Sequence, residues 1–390
     1  MNQPPTYFHG SDLEKIEQTY GVKKEEIINF AANVNPLGIS YRLKKELISH
    51  IDCVTTYPDR EYTELRTAIS DYTGAPVSHI TVGNGSTELI SLVIQIQEPK
   101  SALVLGPTYS EYAHEIRLAG GTLRTFSLKE EESFAFNREE FLAEISCEFS
   151  PENSAGSVND RGSEPSGKTI TAPDLFVICN PNNPTSSLID RDTMHFILEE
   201  CAKRNIFVMV DETYMEFTEE PSETTAIPLT AEFQNLIVLR GISKFFAAPG
   251  LRLGYGICGN ENLLKKMLSF QNPWTVGSLT EIAGKIMFQD TEYIKDTRKL
   301  ILTERKRILG KLNEMPGLKF YPAHANFILV RILDETLTST MLFEAAIKEK
   351  LMIRDCSSFQ ALGEKYFRFC LMSAEANDRL LAVISEKYIS

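Results

Sequence analysis

Five short apolar runs constrain the fold of this chain more than any other feature. They are "HITVGNG" (79–85), "SALVLGP" (101–107), "DLFVICN" (174–180), "NIFVMVDE" (205–212) and "NLIVLRG" (235–241), each closed by Gly, Pro, Asn or an acid. Near-continuous apolar runs of this length suit strands buried on both faces, as in a mostly parallel sheet. Amphipathic stretches such as "TMHFILEECAKR" (193–204) lie between them. Strand and helix in alternation predict an α/β architecture, a mostly parallel sheet sandwiched by helices. Such sheets bind ligands outside the carboxyl ends of their strands, and the polar and glycine residues that close these runs fall on that edge.

The chain has 390 residues, more than one small core accommodates, so a large and a smaller domain are expected. After about residue 285 the pattern becomes helix-rich and then yields short strands near "NFILVRI" (326–332) and "YFRFCLM" (366–372). The domains are therefore placed at 41–284 and 285–390, the latter α+β, with an N-terminal arm over 1–40. Residues 148–173, "EFSPENSAGSVNDRGSEPSGKTITAP", are rich in Ser, Pro, Gly and Asn and read as a long mobile surface loop of no assigned role.

Composition excludes several functions. The formal net charge of −13 argues against a nucleic-acid partner, since phosphate backbones need a basic surface. It also means that an anionic ligand must be held by a local cationic pocket. The seven cysteines (Cys53, Cys147, Cys179, Cys201, Cys258, Cys356, Cys370) contain no CxxC pair, which supports neither a zinc site nor a disulfide framework and suggests a reducing compartment. The six histidines lack HExxH or comparable metal spacing, so no metal is expected. "MNQPPTYFHG" lacks the regions of a signal peptide, and no apolar run reaches membrane-spanning length. A cytoplasmic protein without membrane or nucleic-acid partners is expected.

The strand ends carry the chemistry. "TVGNGSTELI" reads as a strand, a glycine turn and a helix start, and backbone amides at a helix N-terminus bind phosphate. A dinucleotide fingerprint fails there: Gly83 and Gly85 give GxG, but Glu88 replaces the third glycine. In "CNPNNPTS", Asn183 precedes Pro184, which favours an extended backbone and leaves its amide free to reach a ligand. Asp211 ends the next run and suits either a helix N-cap or a carboxylate that binds a protonated ring nitrogen. Tyr214 offers a phenol to the same ring. Lys244, in "GISKFFAAPGLRLGYG" (241–256), is either a surface lysine or a Schiff-base amine whose pKa is lowered by apolar neighbours.

The order of these segments resembles that of the fold-type I pyridoxal-phosphate enzymes, the aspartate aminotransferase superfamily. The motifs are "NPNNPT", "DETY" and "SKFFAAPGLRLGYG", and the resemblance covers nearly the whole chain. It implies pyridoxal 5'-phosphate as cofactor. Lys244 matches the lysine that holds the cofactor covalently, and Arg252 matches the arginine at its phosphate. Gly85, Ser86 and Thr87 match the phosphate turn. Asp211 matches the acid that keeps the ring nitrogen protonated, and Asn183 and Tyr214 match the partners of the ring hydroxyl. Tyr109, in "GPTYSEY", matches the aromatic stacked on the ring. Tyr57, in "TYPD", resembles a tyrosine that reaches the phosphate from a partner subunit, which implies a homodimer with shared sites. Gly241 departs from the pattern where relatives carry Ser or Thr, and Ser243 is the candidate replacement.

Within the superfamily two groups share these motifs. "FHGSD" (8–12), "INFAANVNPLG" (28–38), "NPWTVGSLTEIAG" (272–284), "YPAHANFILVR" (321–331) and "LMIRDCSSFQALGEKYFRFCLMSAEANDRLL" (351–381) resemble threonine-phosphate decarboxylases of cobalamin biosynthesis. The alternative group is the histidinol-phosphate aminotransferases of histidine biosynthesis. The resemblance implies a phospho-amino-acid substrate, with Arg368 at the α-carboxylate and Arg354, His9 and Asn33 at the phosphate. The N-terminal arm is then expected to pack with the small domain. From sequence alone, His9 also suits a tail position and each arginine a solvated ion pair.

Overall fold

The computed structural model describes residues 8–146, 172–359 and 361–388. Of the segment 148–173, only residues 172 and 173 fall among them, so the loop expected there lies outside the described residues, as does Cys147.

A seven-stranded sheet forms from β2 (Ile80–Asn84), β3 (Ser101–Gly106), β4 (Thr122–Ser127), β5 (Leu175–Cys179), β6 (Phe207–Asp211), β7 (Leu236–Gly241) and β8 (Leu253–Ile257), in the order β2-β8-β7-β6-β5-β3-β4. Each of the five apolar runs contains one of these strands. In β3, β5, β6 and β7 every residue is buried, which matches strands covered on both faces. Only β8 runs against the others, antiparallel to both β7 and β2.

Two of the seven strands carry no such run. At the edge, β4 reads TLRTFS and is mostly accessible, as an edge with charge and hydroxyls should be. The other, β8, reads LGYGI, and its glycines are spatially required. A Cβ on Gly254 would lie 2.4 Å from the Ser86 nitrogen, so this strand passes directly beneath the phosphate turn.

The chain order makes a switch point. From β3 the chain moves outward to β4, whereas β5, β6 and β7 follow on the other side. The crevice between the carboxyl ends of β3 and β5 is where such sheets take ligands.

A second sheet joins β9 (Leu318–Phe320), β10 (Phe327–Ile332), β12 (Arg354–Asp355) and β13 (Tyr366–Cys370) in the order β12-β13-β10-β9, all antiparallel. The long helix Thr291–Leu312 precedes it. The N-terminal segment reaches this region through a parallel pairing of β1 (Ile28–Asn29) with β11 (Leu351–Met352). Phe8 stacks on Phe343 at 5.7 Å between ring centres, which fixes the start of the described chain against the same region. Among the described residues no helix is long and apolar enough to cross a membrane, and no cluster of His, Cys, Asp and Glu suits a metal.

Candidate functional site

A cavity of about 780 Å³ opens at the carboxyl ends of the central strands, closed on one side by the N-terminal segment and by β12 and β13. Of the residues expected in a site, it is lined by His9, Asn33, Ser86, Thr87, Tyr109, Asn183, Asp211, Tyr214, Ser243, Lys244, Arg252, Arg354 and Arg368. Two expected residues stand outside this wall. Gly85 lies one residue behind it, and Tyr57 is an exposed side chain that packs on Trp274 at 4.7 Å between ring centres.

The phosphate turn is an uncapped helix start. Some helices here are capped by a side chain, with Ser40 Oγ accepting from the Leu43 amide at 3.1 Å and Asp190 Oδ1 from the Thr193 amide at 2.7 Å, and others, such as Thr63–Thr73 and Ser110–Leu118, are not. The helix Gly85–Gln97 has Asn84 at its N-cap, and that side chain makes no capping bond. Its first amides are thus left to an anion arriving from the cavity. Gly85 has φ +78°, and a Cβ there would lie 2.2 Å from Arg252 Nη2. The glycine thereby seats the guanidinium against the turn. Ser243 lines the same cavity, and a Cβ on Gly241 would lie 3.7 Å from Ser86 Oγ, so a hydroxyl-bearing residue there would stand at the phosphate turn.

Asp211 ends β6, is buried, and accepts three hydrogen bonds. Thr213 donates to Oδ1 through its amide at 2.9 Å and its hydroxyl at 2.5 Å, and Tyr112 donates to Oδ2 at 2.6 Å. Asp211 is not a helix cap. Burial raises its pKa, and the Thr213 and Tyr112 bonds oppose the rise. Burial likewise pushes the Tyr214 phenol well above its usual value, so it is a donor at neutral pH. Asn33 donates to the Tyr214 hydroxyl at 3.3 Å and lines the same cavity as Arg354 and Arg368.

Lys244 Nζ donates to the Ala32 carbonyl at 2.6 Å. Its pKa falls to about 8, first because of desolvation and then through the charges of Arg368 and Arg252. A lysine so placed supplies neutral amine near physiological pH, as covalent capture of a carbonyl requires.

Arg354 and Arg368 are both buried and both line the cavity. Arg354 donates to the Phe8 carbonyl and, at 2.9 Å, to Ser358 Oγ, with the Phe359 ring 5.3 Å from its Cζ. Arg368 donates to Asn183 Oδ1 and, at 2.8 Å, to the Ala31 carbonyl, while its Nε has no partner among the described residues. Among the described residues neither guanidinium forms an ion pair with a carboxylate, although the Asp355 and Asp12 charges act on Arg354 from further off, and two buried cations placed in this way suit anionic ligands. His9 faces the same space; its pKa is lowered by desolvation and then by Arg354, Lys244 and Arg368.

These residues fit pyridoxal phosphate. The uncapped turn with Arg252 suits its phosphate, Asp211 its ring nitrogen, Tyr109 its face and Lys244 its carbonyl. The buried Thr108 Oγ1 and Asn33 Oδ1 also lack partners among the described residues, as atoms awaiting a polar ligand do. Tyr112, Thr213 and Thr108 were not singled out from sequence. Tyr112 and Thr108 stand within "GPTYSEY" and Thr213 within "DETY", and their place in those stretches is the signal that could have found them.

The family model described as aminotransferase class I and II matches residues 25–384. A threonine-phosphate decarboxylase of Salmonella typhimurium is 30% identical over 96% of this chain and 95% of its own. A histidinol-phosphate aminotransferase of Methanococcus maripaludis is 29% identical over 97% and 95%. The crystal structure of the histidinol-phosphate aminotransferase from Clostridium acetobutylicum superposes with a TM-score of 0.80, at 28% identity, covering 92% of this chain and 98% of that one.

Proposed function

The chain belongs to the aminotransferase class I and II family and is a pyridoxal-phosphate-dependent enzyme; from this premise we propose that it decarboxylates O-phospho-L-threonine to (R)-1-amino-2-propanol O-phosphate and carbon dioxide, for the nucleotide loop of cobamides. O-Phospho-L-serine, which lacks one methyl, is the second substrate to consider.

The observation that carries the reading is the pair of buried arginines. Arg354 and Arg368 are register partners on β12 and β13, so their side chains leave the sheet on one face. A phospho-amino acid brings a carboxylate and a phosphate, and a planar guanidinium suits each. In this reading Arg368 holds the α-carboxylate and Arg354, with neutral His9, the phosphate. When bound, the cofactor supplies a protonated ring that accepts the electron pair freed at the substrate Cα. Asp211 would hold a proton at the ring nitrogen, and Asn183 and Tyr214 would bind the ring hydroxyl. The two arginines would hold the substrate's carboxylate and phosphate and so select which bond at Cα is broken. Loss of carbon dioxide leaves its bonding pair at Cα, which a proton from solvent then takes up.

Transamination of histidinol phosphate is the alternative, supported by the aminotransferases that match this chain equally broadly. The same Lys244 and Asp211 serve it, and the orientation imposed by the arginines decides between them. The test is incubation with each of O-phospho-L-threonine, O-phospho-L-serine and L-histidinol phosphate, with and without a 2-oxo acid. Carbon dioxide released without a 2-oxo acid supports the decarboxylase. Turnover of histidinol phosphate alone, dependent on the 2-oxo acid, moves the assignment to the aminotransferase.

The same reading makes the enzyme a cytoplasmic homodimer. Tyr57 is 79% exposed and outside its own cavity, as a residue that serves a partner's site should be. Sedimentation of a fully active monomer at micromolar concentration would contradict this.

A further inference from the structure

Tyr112 makes two contacts that the reaction does not require of it. Its side chain is fully buried, its hydroxyl donates to Asp211 Oδ2 at 2.6 Å, and its ring meets that of Tyr109 edge-on, 5.6 Å between centres at 85°. Tyr112 lies on the helix Ser110–Leu118, beyond the carboxyl end of β3, whereas Asp211 ends β6. The bond therefore spans the switch-point crevice. Thr213 occupies the other oxygen of the same carboxylate through its amide and its hydroxyl.

This arrangement has a direction. The Tyr112 phenol is held protonated by burial, and the Asp211 charge adds to that effect, so Tyr112 can only donate to the carboxylate. Donors to a carboxylate favour its ionised form. Burial alone pushes Asp211 toward the neutral acid, which could not keep a proton on a ring nitrogen. Three donors oppose that push, so losing one of them would drive Asp211 further toward the neutral acid, and they leave free lone pairs for the ring.

We propose that Tyr112, together with the Thr213 hydroxyl, is a positioning residue that keeps Asp211 ionised and thereby holds the proton on the cofactor's ring nitrogen, while its ring braces Tyr109 against the cofactor face. The inference rests on the assignment of Asp211 to the ring nitrogen and holds for decarboxylation and transamination alike.

The test uses holoenzyme reconstituted with pyridoxal phosphate labelled with nitrogen-15 in the ring, whose resonance separates protonated from unprotonated pyridine. Tyr112→Phe keeps the ring and removes only the donor. The expected result is a shift of the resonance from the protonated position toward the unprotonated one, with Tyr109 packing retained in the near-ultraviolet circular dichroism. An unmoved resonance overturns the inference. Should Tyr112→Phe fail to fold, Thr213→Val removes the other side-chain donor from the same carboxylate and must shift the resonance the same way; an unmoved resonance there overturns it equally. Asp211→Ala separates the two levels. If Asp211→Ala leaves the resonance at the protonated position, the assignment of Asp211 itself falls. If Asp211→Ala moves it and Tyr112→Phe does not, only the role of Tyr112 falls.

Discussion

The amide of Asn35 donates to the carbonyl of Lys244 at 3.0 Å. Three residues earlier, the Ala32 carbonyl receives the Lys244 ammonium. The N-terminal segment thus holds both ends of the lysine. The Asn35 side chain extends the clamp: its Nδ2 reaches the Phe245 carbonyl at 2.8 Å and the hydroxyls of Tyr293 and Thr297 at 2.9 and 2.8 Å. The clamp places the amine in the buried cavity, where desolvation first and then the charges of Arg368 and Arg252 lower its pKa.

The first prediction concerns that pKa. Only the neutral amine captures a carbonyl, and the neutral fraction rises with pH through the pKa. The rate at which cofactor-free protein captures pyridoxal phosphate should therefore rise with a midpoint near 8, rather than near the ordinary 10.5. Arg368 contributes to the depression, so Arg368→Ala should move the midpoint upward. Stopped-flow absorbance at several pH values measures both. A midpoint near 10.5 in the wild type would contradict the burial of the amine.

The second prediction concerns Gly85→Ala. An L-residue at φ +78° costs about 1–2 kcal/mol, and the methyl collides with Arg252 as well. The guanidinium must leave the phosphate turn. Cofactor affinity should fall about tenfold or more while the fold persists. Equilibrium dialysis reads the affinity and circular dichroism the fold. Unchanged affinity would mean that Arg252 does not serve the phosphate from this position.

The third prediction concerns stability away from the cavity. Arg240 is buried and donates to Glu212 Oε2 through Nε at 3.0 Å and Nη2 at 2.7 Å, and through Nη1 to Glu216 Oε1 at 3.3 Å. Glu212 follows the site aspartate and has no exposed surface. Arg240→Leu leaves two buried carboxylates without their cation and should cost about 3–5 kcal/mol. Replacing Arg240 and Glu212 together by leucine should recover part of that loss. Denaturant midpoints measure both, and a loss in Arg240→Leu below about 1 kcal/mol would show that water reaches the pair.

The sequence made the central strands legible because β3, β5, β6 and β7 are buried on both faces and so read as unbroken apolar runs. At the sheet edge β4 loses that signal, because one side of it meets solvent. In β8 the signal is diluted by Gly254 and Gly256, which are there for close approach and not for burial. Among the expected cofactor residues, Gly85 and Asn183 carried a local mark, a glycine turn and a following proline, and Asp211 closed an apolar run; Lys244, Arg252, Tyr109 and Tyr214 have no such neighbours and were reached through the resemblance of their segments. Tyr112 and Thr213 were not, since their role is a contact with one carboxylate, and for Tyr112 that carboxylate lies 99 positions away. The pairing of Arg354 with Arg368 is likewise a matter of register across two strands, and one sequence does not display register.

The final prediction separates those two arginines. Losing a desolvated, charge-assisted contact should cost about 2–5 kcal/mol, much of it from the anion left unpaired. Arg354→Ala should therefore weaken binding of O-phospho-L-threonine far more than that of L-threonine, which lacks the phosphate. Arg368→Ala should hurt both, because both carry the α-carboxylate. The discriminating ligand is (R)-1-amino-2-propanol O-phosphate, which keeps the phosphate and lacks the carboxylate. Wild type and Arg368→Ala should bind it alike, and Arg354→Ala poorly. Arg368 also touches Asn183, so its removal disturbs the ring-hydroxyl side of the site. The comparison must therefore be made by binding of this ligand to cofactor-loaded protein, where a change in turnover does not intrude. Calorimetric titration of the three proteins supplies the numbers. Equal losses in both variants would mean that the two guanidiniums share one anion, and the division between carboxylate and phosphate would have to be abandoned.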